Sequence, residues 1–358
     1  MTVLRIALIA SSNHPIAEPF AGGLEAHTAL LARELTTRGH AVTVFAAPGS
    51  DAVPGARVEE MRALAFSAAA RGDVSMPAER FMAEHHAYLD LMLRLARGRE
   101  FDVVHNNSLH HLPVAMARTL PVPLVTTLHT PPTPWLESAV AAAGGRHGVL
   151  TAVSSHTAGA WRHVAEEITV IRNGVDVGTR PPGPGGGPLV WAGRIVPEKG
   201  THLAVRAARA AGRPLLIAGP VSDRAYFDSM VAPLLGGDVR HVGHLSHPEL
   251  TRLVAHAAAM LVTPCWEEPY GLVVAEALAC GTPVAGFAVG ALPEIVDDSC
   301  GRLVPAGDTA ALAAVVPVVE SLSRTAARRR AERHWSHRRM VDEYVALYTR
   351  AAASGVAA

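Results

Sequence analysis

The sequence has few cysteines, no excess of either charge and no long apolar run, and each shortage excludes a class of protein. Its three cysteines, Cys265, Cys280 and Cys300, are an odd number without C-x-x-C spacing in 358 residues, which argues against a disulfide framework and a zinc site. Lys plus Arg and Asp plus Glu both total 32, so the charge balance does not demand nucleic acid as a partner. No stretch reaches the roughly 18 uninterrupted apolar residues that a membrane span needs.

The length and the first residues indicate a two-domain protein that stays inside the cell. A chain of 358 residues with 49% hydrophobic side chains is long enough to form two cores. The N-terminal stretch "MTVLRIALIASSNHP" has a short apolar run that is followed at once by polar residues, and it has no A-x-A cleavage site. This pattern favours a first buried strand over a secretory signal, so we expect a cytoplasmic protein.

Apolar runs alternate with helical stretches along the chain, which is typical of a parallel sheet covered by helices on both faces. In the first half, the runs predicted as strands are residues 3–10, 41–46, 102–105, 123–129 and 149–154. In the second half, they are residues 188–193, 214–219, 239–243, 258–264, 283–287 and 302–306. The sequence therefore predicts an α/β protein with two doubly wound, Rossmann-like domains.

A segment that cannot form regular structure separates the two series. Residues 179–188, "TRPPGPGGGP", contain four prolines and four glycines and indicate a linker. We assign residues 1–178 to an N-terminal domain, residues 189–334 to a C-terminal domain and residues 335–358 to a closing helix. Residues 324–351 have the pattern of one Arg-rich helical stretch, for which a solvated face is favoured over contact with anionic lipid. Two such domains facing each other leave a cleft at the C-terminal ends of their sheets, where open α/β sheets bind ligands.

Two short motifs have the chemistry of an anion site. In "AGRIVPEKG", Arg194 and Lys199 follow a predicted strand on a short loop, where a planar guanidinium and a point charge can grip one phosphate group. Gly22 and Gly23 precede a predicted helix, whose first amides can meet an anion. Taken alone, the first motif is equally compatible with a solvated loop, and the second with an ordinary turn before a helix.

An acidic residue inside an apolar segment is the least expected feature. In "EEPYGLVVAEALACGTPVAG", Glu276 is surrounded by Leu, Val and Ala and lies eight residues after Glu268. An unpaired buried carboxylate would be costly. Glu276 therefore either accepts hydrogen bonds from the hydroxyl groups of a ligand or pairs with a structural arginine.

Together these motifs resemble the retaining glycosyltransferases of family 4 (glycosyl transferases group 1), which have the GT-B fold. Glu268 and Glu276 match the E-x7-E motif of that family. Its other segments appear in the same order as "GGLEAHTALLARELTTRGHAVTVF", "DVVHNN", "TTLHT", "AVSSHTA", "IRNGVD", "AGRIVPEKG", "GALPEIV" and "GRLVPAGD". The resemblance covers nearly the whole chain. It implies an acceptor-binding N-terminal domain, a nucleotide-sugar-binding C-terminal domain, and a last helix that returns to the N-terminal domain.

The resemblance also implies roles for individual side chains. Arg194 and Lys199 would bind the donor diphosphate. Glu276 would accept the ribose hydroxyl groups, and Glu268 would hold hydroxyl groups of the transferred sugar. His129 matches the family's active-site histidine beside the donor sugar. The residues expected to act in catalysis are therefore His129, Glu268, Arg194 and Lys199.

Backbone amides would complete the phosphate cradle. The other donor-binding positions are Gly22, Gly23, Tyr270, Gly271, Leu272 and Val273. The donor implied by the family is a nucleoside-diphosphate sugar, with uridine expected from its frequency there, and a hexosyl or related unit would be transferred with retention by front-face displacement. We expect no cofactor and no metal, since the D-x-D triplet of the other large glycosyltransferase fold is absent from the sequence.

The chain departs from the family pattern at two places. It has Gly290 and Ala291 where the family usually has two glycines, and it has Arg172 where a proline usually precedes "NGVD". Ala291 is still expected to offer its amide to the ligand. Glu294 is interpreted as a structural residue. Neither departure removes a side chain that is expected to act in catalysis.

Other interpretations of single motifs have less support. "GPGGGP" is followed by a predicted strand and not by a helix, which disfavours a nicotinamide site, and "SSH" at residues 154–156 lacks the G-x-S-x-G elbow of hydrolases. His105, His110 and His111 have no carboxylate or thiol at supporting spacing. They are therefore interpreted as polar residues lining the acceptor cleft and not as metal ligands.

Two alternatives to a transferase are carried forward. A GT-B nucleotide-sugar epimerase or phosphorylase is disfavoured by the E-x7-E motif together with R-x4-K, and a catalytically silent sugar-nucleotide-binding protein is disfavoured because all four charged side chains of these motifs are present. The acceptor is expected to contact the loops at residues 13–23, 106–111 and 130–137. It remains open between an acceptor sugar, a small metabolite, a lipid-linked glycan and a natural product. The sequence indicates no oligomeric state.

Overall fold

The computed structural model describes residues 2–62, 67–75 and 78–353, and within these ranges thirteen strands form two parallel sheets. The first sheet contains β1 (Arg5–Ile9), β2 (Ala41–Ala46), β3 (Arg57–Glu60), β4 (Val103–Asn106), β5 (Leu124–Leu128), β6 (Val149–Ala152) and β7 (Ile168–Val170), in the spatial order 3-2-1-4-5-6-7. The second contains β8 (Leu189–Ala192), β9 (Leu215–Ala218), β10 (Val239–His241), β11 (Met260–Val262), β12 (Val284–Phe287) and β13 (Gly301–Val304), in the order 10-9-8-11-12-13. The predicted pair of doubly wound sheets is confirmed.

Helices cover both faces of each sheet. The helices of the N-terminal half are α1 (Gly23–Thr37), α2 (Ala68–Arg71), α3 (Glu79–Leu95), α4 (Leu112–Ala115), α5 (Pro134–Ala143) and α6 (Ser155–Trp161). Those that follow are α7 (Thr201–Ala210), α8 (Arg224–Tyr226), α9 (His247–His256), α10 (Leu272–Ala279), α11 (Leu292–Ile295), α12 (Thr309–Glu320), α13 (Arg324–His334) and α14 (His337–Ala353). Short 3-10 turns lie at Ala117–Thr119, Pro197–Lys199 and Ala232–Leu234, and a π turn at Phe227–Val231.

The strands that the sequence did not predict lie at sheet edges. Each of the eleven predicted strands is present with bounds within two residues of the prediction, but β3 and β7 were missed. Both are the outermost strands of the first sheet, and neither is fully buried along its length. Because an edge strand is covered less than a central one, "RVEE" and "ITV" lack the long apolar run that marked the others.

The strand order indicates where the ligand-binding crevice of each sheet lies. In the first sheet β1 lies between β2 and β4, and in the second β8 lies between β9 and β11, so the chain reverses direction across the sheet at these points. Ligands of open α/β sheets bind outside the carboxyl ends of the strands at such switch points. The loops after β1, β4, β8 and β11 are therefore the expected walls of a binding site.

The C-terminal segment differs from the prediction of one helix over residues 324–351. It forms α13 and α14, which are separated by Trp335 and Ser336. At the break the chain pairs with the segment before the linker: the amide of Val175 donates to the carbonyl of Trp335 at 2.7 Å, and the amide of His337 donates to the carbonyl of Val175 at 3.1 Å. Backbone groups that bond to another segment cannot continue the helical ladder, so the helix ends there.

The Arg-rich face of α13 is solvated only in part: Arg329 and Arg333 are exposed, as the sequence suggested, but the other arginines are not. Arg324, Arg328 and Arg330 point inward and bind backbone carbonyl groups. Arg324 reaches the carbonyls of Gly183 and Ala255 at 3.0 and 2.7 Å. A guanidinium has five donors, which suits it to the unpaired carbonyls where the linker and helix ends meet.

Helix α14 packs against the first sheet through two buried tyrosines. The hydroxyl of Tyr344 lies 2.9 Å from Oγ1 of Thr127, and that of Tyr348 lies 2.6 Å from Nδ1 of His105. His105 is fully buried, with Nε2 2.8 Å from the Thr127 hydroxyl, and burial lowers the pKa of its imidazole to about 3. His105 therefore belongs to this core network, and the prediction that it lines the acceptor cleft is wrong.

Among the described residues, no single helix has both the length and the apolar character needed to cross a membrane. Helices α12 and α13 pass that test only when taken together, and they are bent by 98° at their junction.

The packing of α14 leads to a prediction about stability. Tyr348→Ala removes a buried ring and leaves Nδ1 of His105 without its hydroxyl partner, so we expect it to lower the free energy of unfolding by about 3–5 kcal/mol. Urea denaturation followed by circular dichroism measures this loss. Thr349→Ala, on the exposed face of the same helix, is the control and should change stability by less than about 0.5 kcal/mol. Equal effects from the two variants would contradict the buried role of Tyr348.

Candidate active site

A cavity of about 590 Å³ lies between the carboxyl ends of the two sheets. Every residue that the sequence analysis placed in the donor site lines it: Gly22, Gly23, His129, Arg194, Lys199, Glu268, Tyr270, Gly271, Leu272, Val273 and Glu276. These residues come from loops and helix starts that follow strands of both sheets. The structure thus brings together groups that lie up to 254 positions apart (276 − 22).

Close backbone contacts fix the loop that carries Arg194 and Lys199. Lys199 ends a 3-10 turn, and Gly200 follows it at φ +64°. A Cβ at Gly200 would lie 2.0 Å from the carbonyl oxygen of Thr263. Only glycine fits this position, because both the left-handed conformation and the contact exclude a side chain. Lys199 is thereby held beside the loop that follows β11.

Lys199 forms an ion pair with Glu268. Its Nζ lies 2.6 Å from Oε2 of Glu268, and the indole Nε1 of Trp266 donates to the same oxygen at 3.0 Å. Nζ also lies 5.3 Å from the centre of the Trp266 ring. Trp266 was not predicted, although it stands two residues before Glu268 in the motif. Because Lys199 and Trp266 both hold Oε2, the other carboxylate oxygen is left for a ligand.

Ala291 does not offer its amide to a ligand, contrary to the sequence-based expectation. Its amide donates to the carbonyl of Glu268 at 2.9 Å, and Ala291 is fully buried. Gly290 lies against the same peptide at φ +60°, where a Cβ would come within 2.2 Å of the Glu268 carbonyl oxygen. The Gly290–Ala291 pair therefore supports the backbone of Glu268.

Two helix N-termini meet at the cavity. Helix α10 begins after Gly271, at φ +84°, and α1 begins after Gly22, and neither helix has a side-chain cap. A Cβ at Gly23 would lie 3.5 Å from the side chain of Leu272, so the two helix starts are in close proximity. Uncapped amides and the helix dipoles make this wall favourable for an anion.

Glu25, which no motif marked, lies at the same wall. It is in the first turn of α1, is 5% exposed and lines the cavity. Burial raises the pKa of its carboxyl, and the amides of Glu25 and Gly22 and the charges of His14 and Arg194 oppose that rise. A buried acid beside the proposed phosphate cradle could not be inferred from the motif, since it lies against His14 from the loop after β1 and Arg194 from the other domain.

His129 is held neutral beside a second buried histidine. Its Nε2 lies 2.9 Å from Oδ1 of Asn107, and its ring meets the edge of His27 at 5.1 Å between centroids. Burial lowers the pKa of His129 well below its usual value, and His27 and His105 add to this effect. Burial alone lowers the pKa of His27 to about 4. His129 therefore faces the cavity as an uncharged imidazole near neutral pH.

Glu276 and Tyr270 each make a bond that was not predicted. Oε1 of Glu276 is 2.6 Å from Nη2 of Arg180, a residue of the linker. The sequence left open whether Glu276 binds a ligand or pairs with a structural arginine. One carboxylate oxygen pairs with Arg180, and Glu276 also lines the cavity. The hydroxyl of Tyr270 donates to the carbonyl of Asn173 at 2.5 Å, and burial raises its pKa. This hydroxyl is therefore occupied, and only the ring of Tyr270 is available to the cavity.

Glu294 joins the two halves of the molecule, as the structural interpretation proposed. Its carboxylate accepts from the amides of Ser155 and His156 at 3.1 and 2.7 Å and from Arg172 at 3.0 Å. Arg172, which stands where the family usually has a proline, thus has Glu294 as its partner in the other half of the molecule. Ser154 is occupied too, since its hydroxyl donates to the carbonyl of Pro269 at 2.7 Å.

Four rings form a column beside the part of the cavity lined by the N-terminal half, here called the aromatic stack: Tyr88, His110, His111 and Trp135. Successive ring centres are 4.2, 4.4 and 5.3 Å apart, with interplanar angles of 15°, 25° and 26°. Tyr88 is buried and lines the cavity, whereas Trp135 is 62% exposed. The prediction that His110 and His111 line the cleft is wrong, because they lie in the column behind Tyr88.

His85 stands next to the aromatic stack. Ring nitrogens of His85, His110 and His111 lie within 4.8 Å of one another. Nδ1 of His110 accepts a hydrogen bond from the amide of Leu112 at 3.2 Å. Burial and the neighbouring imidazoles His111 and His85 lower the pKa of His110 to about 3, so the His110 imidazole is uncharged near neutral pH.

Comparisons with known proteins agree in both halves of the chain. Residues 21–179 match the model of Glycosyltransferase Family 4, and residues 187–318 match that of Glycosyl transferases group 1. A glycogen synthase of Mycobacterium tuberculosis is 30% identical over 367 residues, which cover 87% of this chain and 85% of that protein. A D-inositol 3-phosphate glycosyltransferase of Mycolicibacterium smegmatis is 31% identical over 408 residues, covering 98% and 92%.

A solved structure extends the similarity to the fold. Anabaena HepE in complex with UDP and glucose superposes with a TM-score of 0.76 at 18% identity, covering 97% of this chain and 100% of that one. The predicted GT-B architecture is thereby confirmed.

The contact between Gly290 and Glu268 generates a prediction. Gly290→Ala and Gly307→Ala both place a side chain at positive φ, but nothing lies within 4 Å of a Cβ at Gly307. We expect Gly290→Ala to lose about 1–3 kcal/mol more stability than Gly307→Ala, because only the first forces a methyl group into the Glu268 peptide. Chemical denaturation of the two variants measures the difference, and equal losses would show that the contact relaxes without cost.

Proposed function

Because the chain belongs to the glycosyltransferases of family 4 and group 1, we propose that it transfers a hexosyl or related unit from a nucleoside-diphosphate sugar to an acceptor hydroxyl with retention. The observation that carries this proposal is the convergence on one cavity of Arg194, Lys199, Glu268 and Glu276 with two uncapped helix N-termini. Cations and amides suit a diphosphate, and carboxylates suit the hydroxyl groups of a sugar and a ribose.

The donor is proposed to be a UDP-sugar. HepE, whose structure contains UDP and glucose, has the same fold, and the cavity of about 590 Å³ lies within the usual range of about 300–1,000 Å³ for small-molecule sites. Oxygen of the diphosphate would meet Arg194, Lys199 and the amides at the starts of α1 and α10. No metal enters this proposal, because Arg194, Lys199 and the helix amides already offer donors to the phosphate oxygens.

In the transfer step, negative charge grows on the leaving phosphate and positive charge grows on the sugar. Arg194, Lys199 and the helix amides are fixed where they stabilise the first charge, which counts for more in a closed cleft than in water. In a front-face displacement, the acceptor hydroxyl loses its proton to the leaving phosphate as the new bond forms on the same face. Glu268 positions the sugar through Oε1, the carboxylate oxygen that Lys199 and Trp266 do not hold. The uncharged imidazole of His129 forms a hydrogen bond to the sugar next to the reacting carbon.

The acceptor is proposed to bind at the N-terminal side of the cavity. Its walls there come from the loops after β1, β4 and β5, and the aromatic stack ends in the exposed ring of Trp135. Phe81, 39% exposed, lies 6.1 Å from that ring. Flat apolar faces of this kind stack on sugar rings or aglycones.

The donor assignment is tested with two substitutions and a neighbouring control. Lys199→Ala and Glu268→Gln are expected to lower kcat by about 10²–10³, as does removal of other fixed transition-state contacts. Lys199→Ala also leaves Glu268 without its cation and should lower the melting temperature, so both variants are assayed at a temperature where circular dichroism shows them folded. Release of UDP from UDP-glucose, with and without acceptor, gives the rate.

The matched control is Glu267→Gln. Glu267 is 62% exposed and pairs with His156 at 3.0 Å, so its loss should leave kcat within about twofold of wild type, as for a surface ion pair of small energy. Wild-type rates from both Lys199→Ala and Glu268→Gln would refute the assigned roles.

The acceptor assignment is tested at Trp135. Maltooligosaccharides, D-inositol 3-phosphate and aryl glycosides form the first acceptor panel, and kinetics are then measured with the compound that is glycosylated. Trp135→Ala should raise KM for that acceptor by about 2- to 12-fold, which corresponds to the 0.5–1.5 kcal/mol of an aromatic contact. The KM for the donor should not change, and Trp135→Phe should keep most of the affinity. An unchanged acceptor KM in Trp135→Ala would place the acceptor elsewhere.

A further inference from the structure

The ribose-binding carboxylate proposed above is held by an arginine that no motif marks. Nη2 of Arg180 donates to Oε1 of Glu276 at 2.6 Å, and the two side chains are 6% and 18% exposed. Arg180 lies in the Pro/Gly-rich linker, 96 residues before its partner. The pair is therefore largely withdrawn from solvent, in contrast to an ordinary surface ion pair.

Arg180 is itself fixed from several sides. Its Nη1 donates to the carbonyl of Asp176 at 3.2 Å, and its Nη2 also contacts Nε2 of His247. Its own carbonyl accepts from Arg328 of α13, which donates to the carbonyls of Val177 and Ala279 as well. The guanidinium thus has little freedom to move away from Glu276.

We propose that Arg180 is a positioning residue for the nucleotide: it binds Oε1 of Glu276 and presents Oε2 to the ribose hydroxyl groups. This inference rests on the proposed function, because it requires a nucleoside diphosphate in the cavity. Glu276 lines the cavity, and among the described residues its side-chain hydrogen bond to protein is made through Oε1. The linker is thereby a part of the donor site and not merely a tether between two sheets.

The physical reason is the cost of an unpaired carboxylate among apolar side chains. Without Arg180, Glu276 on α10 would be desolvated without compensation and would turn toward solvent. A rotated carboxylate no longer accepts hydrogen bonds from both ribose hydroxyls. The 2′-hydroxyl contact should then be lost, while phosphate contacts, which involve other residues, should persist.

This reasoning predicts a change in selectivity between ribose and 2′-deoxyribose, which a merely structural arginine would not alter. Binding of UDP and 2′-deoxy-UDP to the full-length protein is measured by isothermal titration calorimetry. We expect wild type to prefer UDP by about 10- to 100-fold, the range for a hydrogen bond to a charged group. Arg180→Ala and Glu276→Gln should both reduce this preference to within about threefold, mainly through weaker binding of UDP.

Two further variants serve as a conservative substitution and as a control. Arg180→Lys should retain an intermediate preference, because an ammonium group keeps the charge but not the planar fork, and it replaces Arg180→Ala if that variant does not fold. Arg213→Ala removes another partly buried pair, Arg213–Glu320 at 2.8 Å, outside the cavity. It should leave the preference unchanged.

The remaining outcomes overturn the inference in distinguishable ways. If Arg180→Ala weakens both nucleotides by the same factor, Arg180 is structural only. If wild type binds UDP without preferring it to the deoxy form, Glu276 does not read the ribose, although the proposed transferase function stands. If wild type binds none of UDP, ADP, GDP and CDP, both proposals fail. If another base binds best, its ribose and deoxyribose forms replace the uridine pair.

Discussion

The constraint on which the rest of the site depends is that two partly buried carboxylates in one cavity each need a cation. Glu268 has Lys199 and Glu276 has Arg180, both at 2.6 Å. Removing either cation would leave a desolvated charge, so the two pairs must form together with the fold. The close backbone contacts at Gly200 and Gly290 hold the loops of Lys199 and Glu268 in place for the first of these pairs. Each pair also leaves one carboxylate oxygen for a ligand.

Much of the architecture could be predicted from the sequence because it depends on local patterns. Buried central strands have continuous apolar runs in the sequence, and the motif residues lie directly after these strands. Both the strands and the residues that line the cavity could therefore be predicted. Edge strands β3 and β7 have no such pattern, since solvent covers part of them. The break between α13 and α14 could not be predicted either, because it is caused by backbone hydrogen bonds to Val175, which is far away in the sequence.

The partners of the site residues could not be predicted for a related reason. Arg180 stands in a segment whose composition marks only a linker, and Glu25 stands in an ordinary helical stretch. Their environments are made by residues from other segments: Glu276 and His247 for Arg180, His14 and Arg194 for Glu25. Ala291 is a case in which an expected contact is absent. Its amide was expected to bind a ligand, but in the fold it donates to the carbonyl of Glu268. Sequence spacing identifies candidate groups, whereas burial and pairing decide which of their atoms remain available.

The two ends of the cavity differ in the kind of contact that they offer. The donor end is built from ion pairs and helix amides whose backbone is fixed by glycine, so a change there disturbs several partners at once. The proposed acceptor end is built from loops after β1, β4 and β5, with the imidazole of His129 held neutral by burial and the aromatic stack beside it. Stacked rings tolerate different flat partners, because they impose few directional bonds. If the proposed function holds, a chain of this design can keep one class of donor while its acceptor varies through loop side chains alone. Relatives with names as different as glycogen synthase and D-inositol 3-phosphate glycosyltransferase are similar to this chain over both of its halves.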